Sequence, residues 1–286
     1  MLSAIRLEKG DLAAEINELN AQLYSLARRN ADGKPVEFMW GGGSPDPTAE
    51  ERTGWQNSEV LMGPTVGPSR DDAITIGGTR YPMQQHGLLR DLDWIPDTDD
   101  TGDDYAIFAA HYDAGTPVPS RKNPNVHSIF PFSFAATKKY ALRSGELSMK
   151  LQITNTSREP MPYAAGWHPA FRTSGRDLQE TIDAGTGPWT LLNTRRKTAA
   201  NGCIKFPGSN SALYKGVDRT VEISSDFGNT MVWAPEGQKQ VCIEPVTALS
   251  SSEHDGELSE RPGYILLEAG RAVTYRAEID PQLAQV

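Results

Sequence analysis

The stretch Leu147-Ser148-Met149-Lys150-Leu151-Gln152-Ile153 decides the fold, because apolar and polar side chains alternate along it. Successive side chains of a β-strand point to opposite faces, so this alternation predicts a strand with one face on a core and the other towards water. Three other short apolar stretches predict further strands. They are Ala73-Ile74-Thr75-Ile76, Val221-Glu222-Ile223 and Tyr264-Ile265-Leu266-Leu267.

Turn-forming residues separate these stretches at short intervals. Glycine adopts the positive φ angles that tight turns need, and Asp, Ser and Pro favour turns for their own steric or hydrogen-bonding reasons. Such spacing is typical of antiparallel strands joined by hairpins, so the sequence predicts an all-β fold. The turn signals are Ala31-Asp32-Gly33, Gly77-Gly78, Arg143-Ser144-Gly145, Ser157-Arg158-Glu159-Pro160 and Ala269-Gly270.

The segment from Leu12 to Arg29 has two interpretations. Leucine and isoleucine recur in it at three- to four-residue spacing, which is typical of an amphipathic helix. The same segment also reads as two strands, Ala14–Ile16 and Gln22–Leu26, around a tight turn at Asn20. Both interpretations stay open on periodicity alone.

Charge and length exclude several classes of partner. The 286 residues include 28 basic and 37 acidic side chains, a net charge of −9. Nucleic-acid affinity depends on neutralising phosphates, so an acidic chain without a basic patch is not expected to bind nucleic acid. No apolar stretch approaches the roughly 20 residues that span a bilayer, so no membrane partner is expected. No loop marks a domain boundary, and one domain over residues 1–286 is the simplest expectation.

Two features favour a cytoplasmic location. Charges at Arg6 and Glu8 interrupt the apolar core that a cleaved signal peptide would need. The only cysteines, Cys203 and Cys242, are too few for a disulfide framework and lack the spacing of a zinc site. We therefore expect free, buried thiols in a reducing compartment.

Two of the five histidines lie in contexts that suggest a site. His86 is followed by Gly87, which permits close backbone approach, and by Arg90 four residues on. His168 lies between Trp167 and a proline, and tryptophan beside a polar residue is common where sugars bind, since an indole packs against their C–H faces. The other three are assigned to surface or structural roles. They are His111, His127 and His254.

Glu244 is the third candidate, because its carboxylate occurs in an apolar strand pattern, where an unpaired charge is costly. Alternation places Glu244 and Cys242 on one face and Val241 and Ile243 on the other. Glu244 is then either a functional carboxylate facing a cleft or an ion-paired core residue.

No motif indicates a cofactor or a metal. The sequence lacks His-Glu-x-x-His, EF-hand, Gly-x-Gly-x-x-Gly and Walker patterns, and the glycines at 41–43 are not followed by the Lys-Ser/Thr of a phosphate-binding loop. We expect neither.

At this point the chain resembles the aldose 1-epimerase (mutarotase) family, in its shorter bacterial branch. The resemblance rests on a His-Gly-x-x-Arg-Asp block, a Gly-x-His-Pro-x-Phe block and an Ile-Glu-Pro block in this order, together with two aromatic stretches. The blocks are Val36-Glu37-Phe38-Met39-Trp40, Gln85-His86-Gly87-Leu88-Leu89-Arg90-Asp91, Phe130-Pro131-Phe132-Ser133-Phe134, Gly166-Trp167-His168-Pro169-Ala170-Phe171 and Cys242-Ile243-Glu244-Pro245.

The resemblance implies a large antiparallel β-sandwich of the galactose mutarotase type, a supersandwich in which His86, His168 and Glu244 converge in a cleft. It also implies their roles: Glu244 as the base on the anomeric hydroxyl, His168 as the acid on the ring oxygen, and His86 as a sugar ligand. Arg90 either binds a sugar hydroxyl or supports a carboxylate, or else it forms an ion pair with Asp91 or another acid. Trp167 and Phe171 are candidates for a sugar-facing wall, and the alternative is that they pack in the core, as aromatic residues of such strands usually do.

Three positions depart from the family pattern, and the first two of them bear on the identity of the substrate. Pro68 stands where relatives often have arginine, and Arg70 is the nearby candidate to replace it as a sugar ligand. The loop from Gly41 to Gly54 is extended, and Asn20 stands where relatives tend to have glycine.

The implied activity is that of an isomerase interconverting the α and β anomers of an aldose, with a small sugar as its only expected partner. Two alternatives stay open: a hexose-6-phosphate 1-epimerase, which would need converging cations, and a non-catalytic carbohydrate-binding or regulatory domain. The candidate phosphate-binding cations are Arg70, Arg90, Arg121 and Lys122. The sequence leaves the sugar and the oligomeric state open.

Overall fold

A computed structural model describes residues 4–41, 58–249 and 256–284 of the chain. Strands dominate these residues. The strands are β1 (Ala4–Lys9), β2 (Leu12–Asn17), β3 (Gln22–Arg29), β4 (Pro35–Glu37), β5 (Leu61–Met62), β6 (Ala73–Ile76), β7 (Thr79–Pro82), β8 (Ile95–Pro96), β9 (Tyr105–Tyr112), β10 (Val118–Pro119), β11 (His127–Ser128), β12 (Phe134–Leu142), β13 (Leu147–Asn155), β14 (Met161–Tyr163), β15 (Gly166–Trp167), β16 (Ala170–Arg172), β17 (Thr181–Asp183), β18 (Trp189–Thr190), β19 (Ile204–Pro207), β20 (Ser211–Lys215), β21 (Arg219–Ser225), β22 (Asn229–Trp233), β23 (Gln240–Val246), β24 (Ile265–Leu267) and β25 (Ala272–Leu283). One α-helix, α1 (Leu191–Asn201), and two 3₁₀ turns, Arg70–Asp72 and Leu258–Glu260, interrupt them.

The largest sheet has nine strands in the order β18-β17-β20-β21-β25-β13-β12-β9-β8, and every pairing in it is antiparallel. The alternating stretch 147–153 lies in β13, at the centre of this sheet. Burial alternates strictly along its neighbour β12, whose inward side chains enter the core. The all-β, antiparallel prediction is therefore confirmed.

A six-stranded sheet provides the second large layer, in the order β19-β22-β23-β15-β5, with β16 also paired to β23. Val241 and Ile243 of β23 are fully buried in the same main hydrophobic cluster as Leu151 of β13. One face of this sheet therefore packs in the core, and we call the opposite face, which carries Cys242, Glu244 and Val246, the site face.

The segment Leu12 to Arg29 forms two strands, β2 and β3, in a four-stranded sheet β1-β2-β3-β4. Burial alternates along β2, with Leu12, Ala14 and Ile16 buried, which is the period of a strand. Leu19, which completed the helical spacing, is half exposed in the connecting turn. The helical interpretation is therefore wrong, because the apolar face follows the period of two.

Helix α1 was not anticipated from the sequence. Its eleven residues carry no apolar stripe, and Thr190 caps the first turn by accepting a hydrogen bond from the Asn193 N–H at 3.3 Å.

Both cysteines are free: Cys242 is buried and Cys203 partly buried. Among the described residues, no helix has the length and apolar character that crossing a bilayer requires.

Candidate active site

Glu244 lies on the site face near the end of β23. It is 2% exposed and stands opposite Met231 of β22, while Val241 and Ile243 fill the core behind it, as the alternation predicts. Two small apolar clusters flank it on this face. One contains Met62, Val66, Met231 and Val246, and the other contains Trp40, Ala170 and Cys242, with Trp233 packed against it.

His168 follows β15 and is held by a reciprocal pair of backbone hydrogen bonds with Val60. The His168 N–H donates to the Val60 carbonyl at 2.9 Å, and the Val60 N–H donates back at 3.3 Å. This pairing places the imidazole beside the carboxyl group of Glu244, with Nε2 3.3 Å from Oε1. An acid–base pair separated by 76 residues in sequence is therefore assembled by the β15–β23 neighbourhood.

His86 approaches the pair from a loop and adopts a positive φ of 70°. Its N–H donates to the Gly67 carbonyl at 2.9 Å, and the Gly67 N–H donates to Nδ1 at 3.2 Å. Because Nδ1 accepts, the neutral ring carries its proton on Nε2, which faces the side-chain amide of Gln85 at 3.2 Å. The rings of His86 and His168 meet edge to face with centroids 5.3 Å apart.

Gly87 permits this approach. A Cβ at this position would lie 2.2 Å from the Gly63 carbonyl oxygen, and its φ of 73° disfavours any other residue. The Gly63 carbonyl in turn accepts from the N–H groups of Leu88 and Leu89. The glycine of the His-Gly block thus allows the loop carrying His86 to pack against the segment 63–67.

Burial governs the electrostatics of the three groups. Desolvation raises the pKa of Glu244 to about 8. The pKa of His168 is lowered well below its usual value, mainly by burial and further by the charges of His86 and Arg90. Burial and the Arg90 charge lower the pKa of His86 to about 3. Near neutral pH the Glu244–His168 pair therefore holds one proton.

Arg90 lies close enough to this group to act on both histidines, but it forms no ion pair with a described residue. Asp91 uses its carboxylate to accept a hydrogen bond from the Arg121 N–H at 2.9 Å. Arg90 and Asp91 form no close ion pair, although the charge of each acts on the pKa of the other. The half-buried guanidinium of Arg90 has a pKa lowered by that burial.

Trp167 does not line the site face. Its side chain is fully buried in the main core, and its indole N–H donates to the carboxylate of Glu59. Phe171 is likewise fully buried in that cluster. The expectation that Trp167 is a sugar-facing wall needs correction, because adjacent residues of a strand point to opposite faces and His168 takes the site side.

Trp233 has the position expected of Trp167. It is partly exposed, lies on β22 opposite Cys242, and its ring centroid is 6.2 Å from that of His168. Its sequence signal was weak, because only the β22–β23 register shows that Trp233 and Glu244 share a face.

The other candidate cations are less closely tied to the site. Arg70 is exposed in the turn Arg70–Asp72, three residues beyond Gly67. Arg121 forms an ion pair with Asp93 at 2.8 Å, and Lys122 is exposed. Pro68, the departure from the family pattern, directly follows the Gly67 that binds His86.

The remaining histidines stay apart from this group where they are described. His111 is exposed and paired with Asp113 at 2.9 Å, and His127 is exposed. His254 and most of the loop Gly41–Gly54 lie outside the described residues. Within the described ranges, no three His, Cys, Asp or Glu side chains are grouped as metal ligands.

Solved structures of similar fold cover nearly the whole chain. A galactose mutarotase-like protein from Lactobacillus casei has 23% identity and a TM-score of 0.78, covering 98% of this chain and 100% of its own. A galactose mutarotase related enzyme from Lactobacillus acidophilus has 17% identity and a TM-score of 0.77, covering 99% and 98%. A galactose 1-epimerase from Lactobacillus acidophilus has 14% identity and a TM-score of 0.64, covering 99% and 95%. At these identities they show the fold.

The sequence itself shows the family. No curated protein matches the chain. The model of the aldose 1-epimerase family matches residues 3–187, which include the His-Gly and Gly-Trp-His-Pro blocks and make up more than half of the chain. The chain therefore belongs to the aldose 1-epimerase family.

Proposed function

We propose that this chain is an aldose 1-epimerase that interconverts the α and β anomers of an aldose by opening and closing its ring. The observation that carries the proposal is the distance of 3.3 Å between His168 Nε2 and Glu244 Oε1. The anomeric hydroxyl and the ring oxygen are bonded to the same carbon. A base for one oxygen and an acid for the other must therefore lie near each other, so that a single anomeric centre can reach both.

The number of protons that Glu244 and His168 hold between them suits this chemistry. One proton is held between Glu244 and His168 near neutrality, because the pKa of Glu244 is about 8 and that of His168 lies far below 6.5. These pKa values place the proton on Glu244 in the free protein, and its transfer across the 3.3 Å contact to His168 leaves a carboxylate that removes the O1 proton while the imidazolium protonates the ring oxygen. The C1–O5 bond breaks, C1 becomes an aldehyde carbon, and rotation about C1–C2 followed by the reverse steps gives the other anomer.

His86 takes the role of a hydrogen-bond donor to the sugar. Its Nδ1 accepts from the Gly67 N–H, and with a pKa of about 3 the ring stays neutral, so the sugar would replace the side-chain amide of Gln85, 3.2 Å away, as the partner of Nε2. Trp233 replaces Trp167 as the proposed apolar wall, since its partly exposed ring stands beside His168. Arg90 is proposed as a further ligand of the substrate.

A sugar phosphate is the second candidate substrate. A half-buried guanidinium without an ion-pair partner among the described residues is a suitable ligand for a phosphate oxygen or a sugar hydroxyl. Retention of an acid–base pair argues against the other alternative, a domain that binds sugar without acting on it, because binding alone does not need these pKa shifts. The two free cysteines support a cytoplasmic location as part of the proposal.

The test is an NMR exchange measurement of anomer interconversion over a panel of aldoses and their 6-phosphates. Wild-type protein should accelerate exchange of at least one sugar above the buffer rate. His168→Asn should lose most of that rate, while the matched variant His111→Asn, which removes an exposed histidine, should retain it. Sugar binding without accelerated exchange would instead favour the non-catalytic alternative.

A further inference from the structure

We propose that Glu59 is a positioning residue, which holds the backbone of His168 in register with Glu244 through Trp167 and Val60. The role rests on the proposed function of His168. It concerns a buried charge on the core side of the sheet, opposite the site face.

The Glu59 carboxylate is only 1% exposed, yet it accepts hydrogen bonds from four donors in three strands. Lys138 Nζ and the Tyr140 hydroxyl of β12 donate to Oε1 at 2.5 and 2.6 Å, and the Leu23 N–H of β3 donates to the same oxygen at 2.9 Å. The Trp167 indole N–H of β15 donates to Oε2. Glu59 therefore ties the nine-stranded, four-stranded and six-stranded sheets together at one point.

Two pairs of neighbouring residues in the sequence connect the Glu59 carboxylate with the acid–base pair. Glu59 immediately precedes Val60, and Trp167 immediately precedes His168. Glu59 and Trp167 are joined on the core side, while the backbones of Val60 and His168 are joined by their reciprocal hydrogen bonds. The Glu59–Trp167 contact and the Val60–His168 backbone pair therefore hold the two chain segments together at adjacent positions. We call these two contacts the clamp.

Each side of this clamp is extended by further hydrogen bonds. The Ala170 N–H donates to the Ser58 carbonyl at 2.8 Å, and the Ser58 hydroxyl donates to the Leu23 carbonyl at 2.7 Å. The side-chain amide of Gln22 donates to the Glu59 carbonyl at 2.6 Å. The segment that holds His168 is thus attached to β3 on both sides of Glu59.

A buried ion pair is a costly way to gain stability alone, since apolar side chains of similar volume often serve as well. It does provide directional contacts, which apolar packing lacks. A displacement of about 1 Å at a reacting group can cost about a hundredfold in rate. We therefore expect loss of the Glu59–Trp167 contact to lower kcat more than it raises KM.

The structure offers a matched control for this test. Tyr140 and Tyr214 are both fully buried, and each donates its hydroxyl to a buried glutamate, Glu59 at 2.6 Å and Glu180 at 2.7 Å. Tyr140→Phe weakens the clamp, whereas Tyr214→Phe removes an equivalent hydrogen bond in the nine-stranded sheet. Trp167→Phe cuts the clamp itself while keeping an aromatic ring.

The experiment measures kcat and KM for anomer exchange, thermal stability, and the NMR chemical shifts and titration of the His168 imidazole. Trp167→Phe should lower kcat at least tenfold with KM little changed, Tyr140→Phe should act in the same direction more weakly, and both should shift the His168 signals. Tyr214→Phe should lower stability about as much as Tyr140→Phe without either effect. Equal kcat values in Tyr140→Phe and Tyr214→Phe, with unshifted His168 signals, would overturn the proposal.

The imidazole signals keep this test separate from the proposed function. If the wild-type protein exchanges no sugar, the proposed function fails, and displacement of His168 is still read from the chemical shifts of its imidazole. If Trp167→Phe does not fold, the Tyr140→Phe and Tyr214→Phe pair decides the outcome alone.

Discussion

Replacing Glu244 by glutamine should stop anomer exchange and at the same time remove a pH-dependent loss of stability. The substitution keeps the size and the hydrogen-bonding shape of the side chain but cannot take up the O1 proton. General acid–base groups contribute roughly a hundredfold to ten-thousandfold, so kcat should fall by at least about a hundredfold. The stability effect follows from burial of the same carboxyl group.

The sign of the stability effect follows from the direction of the shift. The pKa of Glu244 is raised from 4.5 in the unfolded chain to about 8 in the folded protein. Between these values the folded state holds a proton that the unfolded chain has released, so the free energy of unfolding falls as pH rises. Since each tenfold change in proton affinity is worth about 1.4 kcal/mol, the full effect is about 5 kcal/mol. It is absent below pH 4.5 and complete above pH 8.

Urea unfolding at a series of pH values from 5 to 9 measures this difference directly. Other titrating groups are common to both proteins, so the gap between wild type and Glu244→Gln isolates the one carboxyl group. The variant should gain relative stability steadily up to about pH 8. A gap that does not change with pH would show that Glu244 ionises in the folded protein as it does in water, and the assignment of a desolvated base would be refuted.

Three further predictions concern the surroundings of the pair. The kcat/KM of the wild-type protein should fall above about pH 8, where the pair loses its shared proton, and a rate that keeps rising to pH 10 would contradict the one-proton mechanism. Arg90→Gln should raise KM for a sugar phosphate more than for the neutral sugar, measured by exchange on both; an equal change would place Arg90 away from the phosphate. Lys138→Met should lower the free energy of unfolding by about 3–5 kcal/mol in urea titrations, because it leaves Glu59 charged in the core, and Lys139→Met, at a partly exposed position, should cost far less.

The sequence predicted the fold well because the strand signals were local. The stretch 147–153 alternates with the period of two and lies at the centre of the largest sheet. Glu244 was predicted to share a face with Cys242, and this also needed no tertiary information. Helix α1 was missed because its sequence has no such local signal: its residues carry no apolar repeat, and a single threonine, Thr190, caps its N-terminus.

Trp167 and Trp233 mark the limit of such reasoning. Trp167 adjoins His168 in sequence, and that neighbourhood suggested a common role at the sugar. In a strand, adjacency means opposite faces, so the indole lies in the core and bonds to Glu59. Trp233 is 65 residues from His168 in sequence, and only the pairing of β22 with β23 brings it beside that ring. A residue's distance from the site along the chain was therefore a poor guide to its distance in space.

The same geometry explains why the chain keeps a charged cluster beneath an acid–base pair. His168 is attached to the sheet by a backbone pair with Val60 at the end of a two-residue strand, where regular pairing stops. Backbone hydrogen bonds alone allow such a strand end to shift in register or twist. A carboxylate that accepts from four donors in three strands favours the one arrangement in which all four of these donors are bonded. In the proposed arrangement, the distance between His168 and Glu244 on one face of the sheet depends on a polar network on the other.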